Sequence, residues 1–410
     1  MMMNEFFSAT HACLLNSNGR DKFYADDEFE YILAYGCRDE LNTQIEGLNH
    51  LQLFINRNKG KWMFGVISYD VKNEIEKLSS KNPAHVSMPL IHFFVPGKII
   101  LKKKNEPAVL ITDTDKKVIA DFKFSPESYT FFSNQLQIKS SLDKEEYLKA
   151  VAKLKEHIQY GDIYEITFCL DFFAEHVKLN PWYIYSKLNR ISPAPMSCYY
   201  KAGDHHLISS SPERFLKKKG ERIISQPIKG TIRRGKNAEE NERLKQELAS
   251  SLKERSENVM IVDLVRNDLS RIAQRGSVQV DELFGIYTLP NVHQMISTIS
   301  CRVKPELKFT DILRAVFPMG SMTGAPKISA MNLIDLHEQF KRGWFSGCAG
   351  YITPEGDFDF NVIIRSMLYH EQEEKISFPA GSAITIGSNP EKEYEECLLK
   401  AAAIRKVLEA

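Results

Sequence analysis

The chain has 410 residues, of which 43% are hydrophobic, and its 54 Lys and Arg residues nearly balance its 53 Asp and Glu residues. A chain of this length can bury a large core, whereas its near-zero net charge argues against a nucleic-acid or anionic-membrane partner, because both require a basic surplus. No apolar run approaches the roughly 20 residues of a membrane-spanning helix and the seven cysteines form no CxxC pair, so we expect a soluble cytoplasmic protein with reduced thiols.

The first third of the sequence predicts short strands separated by polar turns, with apolar runs at residues 62–69 and 90–95. A polar stretch at residues 139–143 then precedes a helical pattern. We therefore predict an N-terminal region over residues 1–138, which packs on or contributes to the core, and a larger domain over residues 139–410. The larger domain lacks the regular strand–helix rhythm of a doubly wound sheet, which favours an α+β fold.

The last helix of the chain has the clearest signals. Asn389 suits the N-cap and Pro390 the first turn, where its missing N–H costs nothing. Apolar residues recur every three or four positions from there to residue 408. Glu393, Glu396 and Lys400 form a stripe at the edge of that apolar face, so their charged groups are able to point into a cleft.

A second helix is predicted from residue 237 to about residue 258, followed by a buried apolar run at 259–265. Glu254 and Glu257 lie three residues apart near its end and share one face. This pair and the pair Glu393/Glu396 each present two hard oxygen ligands, which is the chemistry Mg²⁺ prefers. Such pairs are also common on solvated helices, so the spacing alone leaves both interpretations open.

Lys229 lies between Pro227–Ile228 and Gly230–Thr231, where the chain has little freedom to be a solvated surface. A nucleophilic lysine needs a neutral amine, and therefore burial or cationic neighbours that lower its pKa. Arg233 and Arg234 are near enough in sequence to contribute. The alternative is a turn lysine that donates to backbone carbonyls.

Three further polar residues lie within or beside apolar runs. Glu213 follows a strand-like run and is a candidate general acid or base, or an ordinary partner of an arginine. His293 is a candidate functional residue or a satisfied core histidine. Arg365 ends a β-branched run and requires an anion, either a structural carboxylate or one on a substrate.

Seven motifs, in this order, resemble those of chorismate-utilising enzymes, the family that includes anthranilate, aminodeoxychorismate, isochorismate and salicylate synthases. The resemblance covers about residues 140–408 and comprises "SPERF", "PIKGTIRRG", "ENVMIVDLVRNDLSR", "MGSMTGAPK", "GCAGYI", "DFNVIIRS" and "NPEKEYEECLLKA". It implies an α+β fold with a two-sheet core flanked by helices. It also implies that residues 139–410 form a catalytic domain that binds chorismate with Mg²⁺.

The resemblance assigns roles to twelve residues. Glu257 and Glu393 match the metal carboxylates, and Glu254 and Glu396 match their water-mediated partners. The other matches are Glu213 as general acid or base at the ring hydroxyl; Arg365, Tyr351 and Lys400 as groups that hold substrate carboxylates; Gly381 in the backbone cradle; His293 and Ser321 near the departing hydroxyl; and Lys229 as the nucleophile.

Lys229 decides the subfamily. In anthranilate synthases the corresponding motif resembles Pro-Ile-Ala-Gly-Thr. A lysine in place of that alanine is typical of aminodeoxychorismate synthase component I. Water-using isochorismate and salicylate synthases have a lysine general base at the position of Glu165. This chain therefore lacks the base that those two reactions require. The resemblance thus implies amination of chorismate at C4 to 4-amino-4-deoxychorismate, in 4-aminobenzoate and folate biosynthesis, with anthranilate synthesis as the alternative.

The ammonia is expected from a separate glutaminase subunit, because none of the seven cysteines has the context of a glutaminase nucleophile. Two departures from the family pattern bear on function. Ala383 adds a methyl group to a cradle that is usually Gly-Ala-Gly-Ile, which keeps open a non-catalytic chorismate-binding regulatory protein. The tryptophan-pocket element reads Leu14-Leu15-Asn16-Ser17 in place of Leu-Leu-Glu-Ser, which leaves tryptophan feedback in doubt.

Overall fold

The fold was analysed in a computed structural model that describes residues 2–19, 28–112, 114–119, 136–290 and 292–409. Over these residues the helices are α1 Met2–Ser8, α2 Gly47–Arg57, α3 Lys72–Ile75, α4 Lys144–Tyr160, α5 Pro181–Ile191, α6 Ala238–Ser250, α7 Leu252–Ile272, α8 Phe309–Val316, α9 Lys327–His337 and α10 Pro390–Leu408. Across the described ranges, none of these helices combines the length and apolar character needed to cross a bilayer.

The strands of the first half are β1 His11–Asn16, β2 Phe29–Tyr35, β3 Asp39–Thr43, β4 Met63–Ile67, β5 Ile91–Val95, β6 Lys98–Lys103, β7 Ala108–Thr112, β8 Lys116–Ile119, β9 Lys139–Ser140, β10 Glu165–Leu170, β11 Phe172–Ala174 and β12 Met196–Ala202. Those of the second half are β13 His205–Ser211, β14 Arg214–Lys219, β15 Arg222–Gln226, β16 Ile228–Arg233, β17 Gln279–Thr288, β18 Val292–Arg302, β19 Gly324–Ala325, β20 Cys348–Ile352, β21 Phe358–Asn361, β22 Ser366–His370, β23 Lys375–Ser377 and β24 Ala380–Ile384.

The strands form two large antiparallel sheets and one small one. The first sheet has the order β8-β7-β6-β2-β1-β12-β13-β22-β23-β11-β9. The second has the order β16-β18-β15-β14-β21-β20-β4-β5-β3, with β17 paired to β18, and the small sheet is β19-β10-β24. This mixed α+β architecture with a two-sheet core confirms the predicted fold class.

The interior between the two large sheets is apolar and draws on both halves of the chain. Cys13 and Ile32 of the first sheet share one buried cluster with Phe64 and Phe94 of the second. A second cluster covers the outer face of the first sheet with α4, α5 and α10, and a third covers the second sheet with α2, α7 and α8. Strands β1 to β8 are therefore members of the same sheets as the later strands.

Both helices predicted from capping and periodicity are present, but one differs in extent. Asn389 caps α10 by accepting from the Lys392 N–H at 3.1 Å, as expected. The helix predicted over residues 237–258 is instead two helices separated at Ser251, whose side chain caps α7. The apolar run at 259–265 lies within α7 and does not follow a helix end, so Glu254 and Glu257 belong to the first two turns of α7.

Candidate active site

A cavity of about 440 Å³ opens between α7, α10, the small sheet and the bulged start of β16. Ten of the twelve residues assigned from the sequence line it: Glu213, Lys229, Glu254, Glu257, Ser321, Arg365, Gly381, Glu393, Glu396 and Lys400. His293 and Tyr351 do not. The cavity is large enough for a small cyclic metabolite with two carboxylates, and its wall carries both signs of charge.

Lys229 reaches the cavity because β16 is irregular at this point. The pairing of β16 with β18 shifts register between Ile228 and Thr231, which is a β-bulge of the kind that redirects a side chain. Gly230, at φ 93°, sits at the shift. A Cβ there would lie 3.1 Å from Glu254 Oε2 and 3.2 Å from Met295 Cβ, so both the turn and the close approach favour glycine.

The Lys229 ammonium donates to Glu165 of β10; the Glu165 side chain is buried, and that of Lys229 is 10% exposed. The other carboxylate oxygen of Glu165, Oε2, is buried with no hydrogen-bond partner among the described residues. Arg233 and Arg234 are directed elsewhere: Arg233 pairs with Glu240, and Arg234 donates to the Leu289 carbonyl. The predicted cationic influence of these two arginines on Lys229 is therefore wrong.

The electrostatics of Lys229 also differ from the expectation. Burial by itself lowers the pKa of Lys229, but the carboxylates of Glu165, Glu257 and Glu213 outweigh it and raise the pKa above its ordinary value. The resting amine is thus protonated. A nucleophilic role requires that the proton move to an acceptor when substrate is bound, and Glu165 is the group in direct contact.

Glu213 is a buried carboxylic acid beside the same cavity. Burial raises the pKa of Glu213 to about 7, although the hydrogen bond from Ser321 and the charge of Lys229 act in the opposite direction. Ser321 Oγ donates to Glu213 Oε1 at 2.6 Å. Since Oε1 accepts a hydrogen bond from the serine hydroxyl, the carboxyl proton of the neutral acid is left for Oε2.

Four glutamates converge on the cavity from two helix N-termini. Glu254 and Glu257 project from the start of α7, and Glu393 and Glu396 from the start of α10. Helix N-termini stabilise nearby negative charge through their free N–H groups. Ser251 and Asn389 cap these two helices and so determine where the helices begin and where the carboxylates of their first two turns lie.

Nearby cations only partly balance the negative charge of these four glutamates. Burial raises the pKa of Glu257 to about 7 and also raises that of Glu254. Glu257 Oε1 has no hydrogen-bond partner among the described residues, and Lys253, a half-exposed lysine, lies 3.8 Å from both Glu257 and Glu393. A buried, unpartnered carboxylate oxygen that shares a lysine neighbour with a second carboxylate offers the oxygen ligands that a hard divalent cation takes.

Lys400 and Gly381 meet at the opposite wall of the cavity. Lys400 Nζ donates to the Gly381 carbonyl at 2.7 Å and pairs with Glu396 at 2.6 Å. A Cβ on Gly381 would lie 2.4 Å from Cys169 Sγ and 2.8 Å from the Phe168 carbonyl. The backbone of β24 can therefore approach β10 this closely only with glycine.

Arg365 is half-buried at the cavity wall and has a left-handed backbone, φ 50°. Burial lowers its pKa, and the nearby charge of Glu396 only partly restores it. Within the described ranges its guanidinium has no hydrogen bond or ion pair. A guanidinium at the wall of a cavity, with no anionic partner in hydrogen-bond contact among the described residues, is suited to a ligand carboxylate, because its planar donors match that group.

His293 is placed outside the cavity. Its ring contacts Thr288 Oγ1 and the Asn241 amide oxygen, each at 2.9 Å, and it is fully buried. It is the satisfied core histidine of the alternative interpretation. Successive residues of a strand face opposite sides, and the neighbour Gln294 lines the cavity, with its Oε1 unpartnered among the described residues.

Tyr351 is also placed elsewhere. It packs against Phe29, Trp62 and Phe64 between the large sheets and lines a separate cavity of about 50 Å³. Phe345, six residues earlier, lines the main cavity instead. Sequence reasoning also missed Lys253 and the pairing role of Glu165, for which no local pattern gives a signal, since both depend on contacts between distant elements.

The family model for chorismate binding enzymes matches residues 10–406. An anthranilate synthase component I-like protein from Synechocystis sp. is 33% identical over 379 residues, which is 91% of this chain and 76% of that protein. Aminodeoxychorismate synthase from Streptomyces griseus is 40% identical over 269 residues, which is 65% of this chain but 37% of that longer protein. The crystal structure of anthranilate synthase component I from Streptococcus pneumoniae TIGR4 superposes with a TM-score of 0.78 at 26% identity, covering 92% of each chain.

Proposed function

Since this chain belongs to the family of chorismate binding enzymes, we propose that it aminates chorismate at C4 to give 4-amino-4-deoxychorismate, with Mg²⁺ and ammonia. The observation that carries the proposal is the Lys229 amine inside the cavity, paired with Glu165 and beside the acid Glu213. Relatives of this chain bear both anthranilate and aminodeoxychorismate synthase names, so the lysine is the feature that selects C4.

The proposed reaction uses Lys229 as a transient nucleophile. Its ammonium loses a proton to Glu165, and the neutral amine adds to ring carbon 2 as the C4–O bond breaks. Glu213 supplies the proton that lets the 4-hydroxyl leave as water. Ammonia then attacks carbon 4, the bond between carbon 2 and Lys229 breaks, and the amine is regenerated, so one difficult substitution becomes two easier ones.

Arg365 and Lys400 are proposed to hold the substrate carboxylates. Both are cationic groups at the cavity wall, and Arg365 has no anionic partner in hydrogen-bond contact within the described ranges. Glu257 and Glu393 would hold Mg²⁺, which would supply positive charge to a substrate carboxylate. Glu254 and Glu396 would hold water molecules around the ion.

Glu257→Gln is expected to weaken Mg²⁺ binding about 10–100-fold, the usual scale for damage to a metal site. The amide keeps the shape of the side chain but removes the negative charge from a buried ligand. The measurement is the Mg²⁺ concentration that gives half of the maximal thermal shift, with and without chorismate.

The matched control for this prediction is Glu391→Gln on α10, because Glu391 is half-exposed and pairs with Lys144 at 2.5 Å away from the cavity. Its Mg²⁺ dependence should equal that of the wild type. An unchanged Mg²⁺ dependence in Glu257→Gln would remove Glu257 from the metal site.

The function is tested by incubating the chain with chorismate, Mg²⁺ and ammonium and separating the products by chromatography. The proposal requires 4-amino-4-deoxychorismate. Anthranilate, which is fluorescent, would identify the alternative enzyme, and binding of chorismate without consumption would identify a non-catalytic regulatory protein. In that last case Ala383, which lines the cavity, would be the first residue to replace with glycine, the residue usual in the family at this position.

A separate glutaminase subunit is the proposed source of ammonia. Co-purification with a candidate glutaminase, followed by turnover that depends on glutamine, tests this partner. If ammonium supports amination but no candidate confers glutamine dependence, the partner proposal fails while the amination proposal stands.

A further inference from the structure

A second cluster of ligand-type side chains lies in the N-terminal half of the chain, among strands that contribute no residue to the main cavity. His11 of β1, Glu40 of β3 and His92 of β5 each offer one ligand atom, and these three atoms lie within 4.8 Å of one another. Glu40 Oε1 is 3.1 Å from His11 Nε2 and 3.1 Å from His92 Nε2. Two zinc bonds of about 2.0–2.1 Å can span such a separation.

The fold positions all three side chains from rigid strands. Strand β3 pairs with β5 so that Asn42 lies opposite His92, and Glu40 shares the face of Asn42 because strand side chains alternate. His11 comes from the first sheet and faces the second across the interior, with its ring stacked on that of His92 at 5.3 Å and 12°. The cluster therefore joins the two large sheets.

Each imidazole is oriented by a contact on its other nitrogen. His92 Nδ1 is 2.6 Å from the Tyr200 hydroxyl, and His11 Nδ1 is 3.0 Å from the Thr10 hydroxyl. When these Nδ1 atoms carry the protons, both Nε2 lone pairs face Glu40. Metal-binding histidines usually show this arrangement, with the distal nitrogen free and the other held by a partner outside the metal site.

His11 provides the observation that separates this cluster from an ordinary hydrogen-bonded group. Its residue is only 7% exposed, and its Nε2 has no assigned hydrogen-bond partner among the described residues, although it lies 3.1 Å from Glu40 Oε1 in a charge contact. A buried nitrogen lone pair left without a donor costs free energy. A cation between the three ligand atoms would satisfy it.

We propose that His11, Glu40 and His92 bind a divalent transition metal, with zinc as the best match, and that the ion cross-links the two large sheets. Two imidazoles and one carboxylate suit zinc, whereas Mg²⁺ prefers oxygen ligands alone. The Glu40 side chain is 38% exposed, so an ion and a water ligand can enter from its side. This site is independent of the four glutamates in the main cavity.

The test is a zinc titration of the full chain after treatment with a chelator, in excess Mg²⁺ so that the carboxylates of the main cavity are occupied. We expect one zinc ion per chain and a rise in the melting temperature with zinc concentration, since binding to the folded state alone stabilises it. Cobalt in place of zinc should give an absorption spectrum with nitrogen ligation.

Glu40→Gln is expected to weaken zinc binding by about tenfold or more, in the range seen when a metal site loses a supporting group. Glu40 is exposed, so the variant should fold, and the cobalt spectrum of the wild type gives an independent readout if it does not. Asn42→Gln, on the same face of β3, and Glu257→Gln, in the main cavity, should both bind zinc as the wild type does.

Three results would overturn the proposal. These are equal zinc affinity in Glu40→Gln and wild type, loss of the bound zinc in Glu257→Gln, and a cobalt spectrum without nitrogen ligands. Each would mean that the three side chains form only a hydrogen-bonded cluster. None of these outcomes depends on chorismate turnover, so the two proposals fail independently.

Discussion

Lys229→Ala is expected to lower the rate of chorismate amination by on the order of 10³-fold or more, the scale on which enzymes lose a group that acts mainly in the transition state. Without the amine, ammonia has no covalent intermediate to displace. The cavity keeps its acid, its carboxylates and Arg365, so chorismate should still bind. The measurement is single-turnover formation of 4-amino-4-deoxychorismate alongside a binding titration.

Lys229→Arg is the matched variant for this prediction. A guanidinium keeps the positive charge opposite Glu165 but is never deprotonated under these conditions, so it cannot act as the nucleophile. We expect the arginine variant to be as inactive as the alanine variant while retaining the thermal stability of the wild type. Amination within tenfold of the wild-type rate in either variant would rule out the covalent role.

Glu165→Gln separates the nucleophile from its proton acceptor. The raised pKa of Lys229 owes much to the Glu165 carboxylate, so the amide lowers that pKa and also removes the acceptor. We expect the rate at neutral pH to fall by about 10²-fold, a typical contribution of a positioned base. Addition of the lysine to carbon 2, seen as a mass increase of the trapped protein, should fall in parallel.

The fold class and ten of the cavity residues could be predicted from the sequence, some through local rules and most through the family resemblance. The caps and apolar periodicity of α10 place Glu393, Glu396 and Lys400 on one stripe, and the structure puts all three at the cavity. Gly381, which the resemblance placed in the backbone cradle, lies in the structure where a Cβ would meet β10. The caps and the apolar periodicity of α10 are local signals, because each depends on only a few neighbouring residues.

Two assigned residues lie outside the cavity because of geometry that local patterns do not carry. The choice between His293 and Gln294 depends on which face of β18 looks into the cavity, and a shift by one residue reverses every side chain of a strand. Tyr351 lies outside the cavity for a related reason, since β20 turns it toward the sheet interior whereas Phe345 precedes the strand. The salt bridge of Lys229 with Glu165 joins elements 64 residues apart.

Glu213→Gln is expected to lower the amination rate by about 10²–10⁴-fold, the range for loss of a general acid. The amide still accepts the hydrogen bond from Ser321 but has no acidic proton for the departing hydroxyl. The measurement is the single-turnover rate with chorismate and ammonium from pH 6 to 9. A rate within tenfold of the wild type would mean that another group protonates the hydroxyl.

The pH dependence of the wild type distinguishes this role from a structural one. Burial raises the pKa of Glu213 to about 7, and the acid must be protonated to act, so its contribution is complete below pH 7 and falls as pH rises above it. Glu213→Gln should lose this alkaline decline.

The Glu213→Gln substitution should change the stability of the protein in the opposite direction to its activity. A carboxyl whose pKa is raised on folding stabilises the protein below its unfolded pKa, and that contribution is lost as pH rises through about 7. At pH 8 the buried anion costs up to about 3 kcal/mol, and the neutral amide avoids this cost. Glu213→Gln should therefore melt at or above the wild-type temperature at pH 8 while it turns over far more slowly. A variant that lost stability and activity together would place Glu213 in the framework of the cavity instead of in its chemistry.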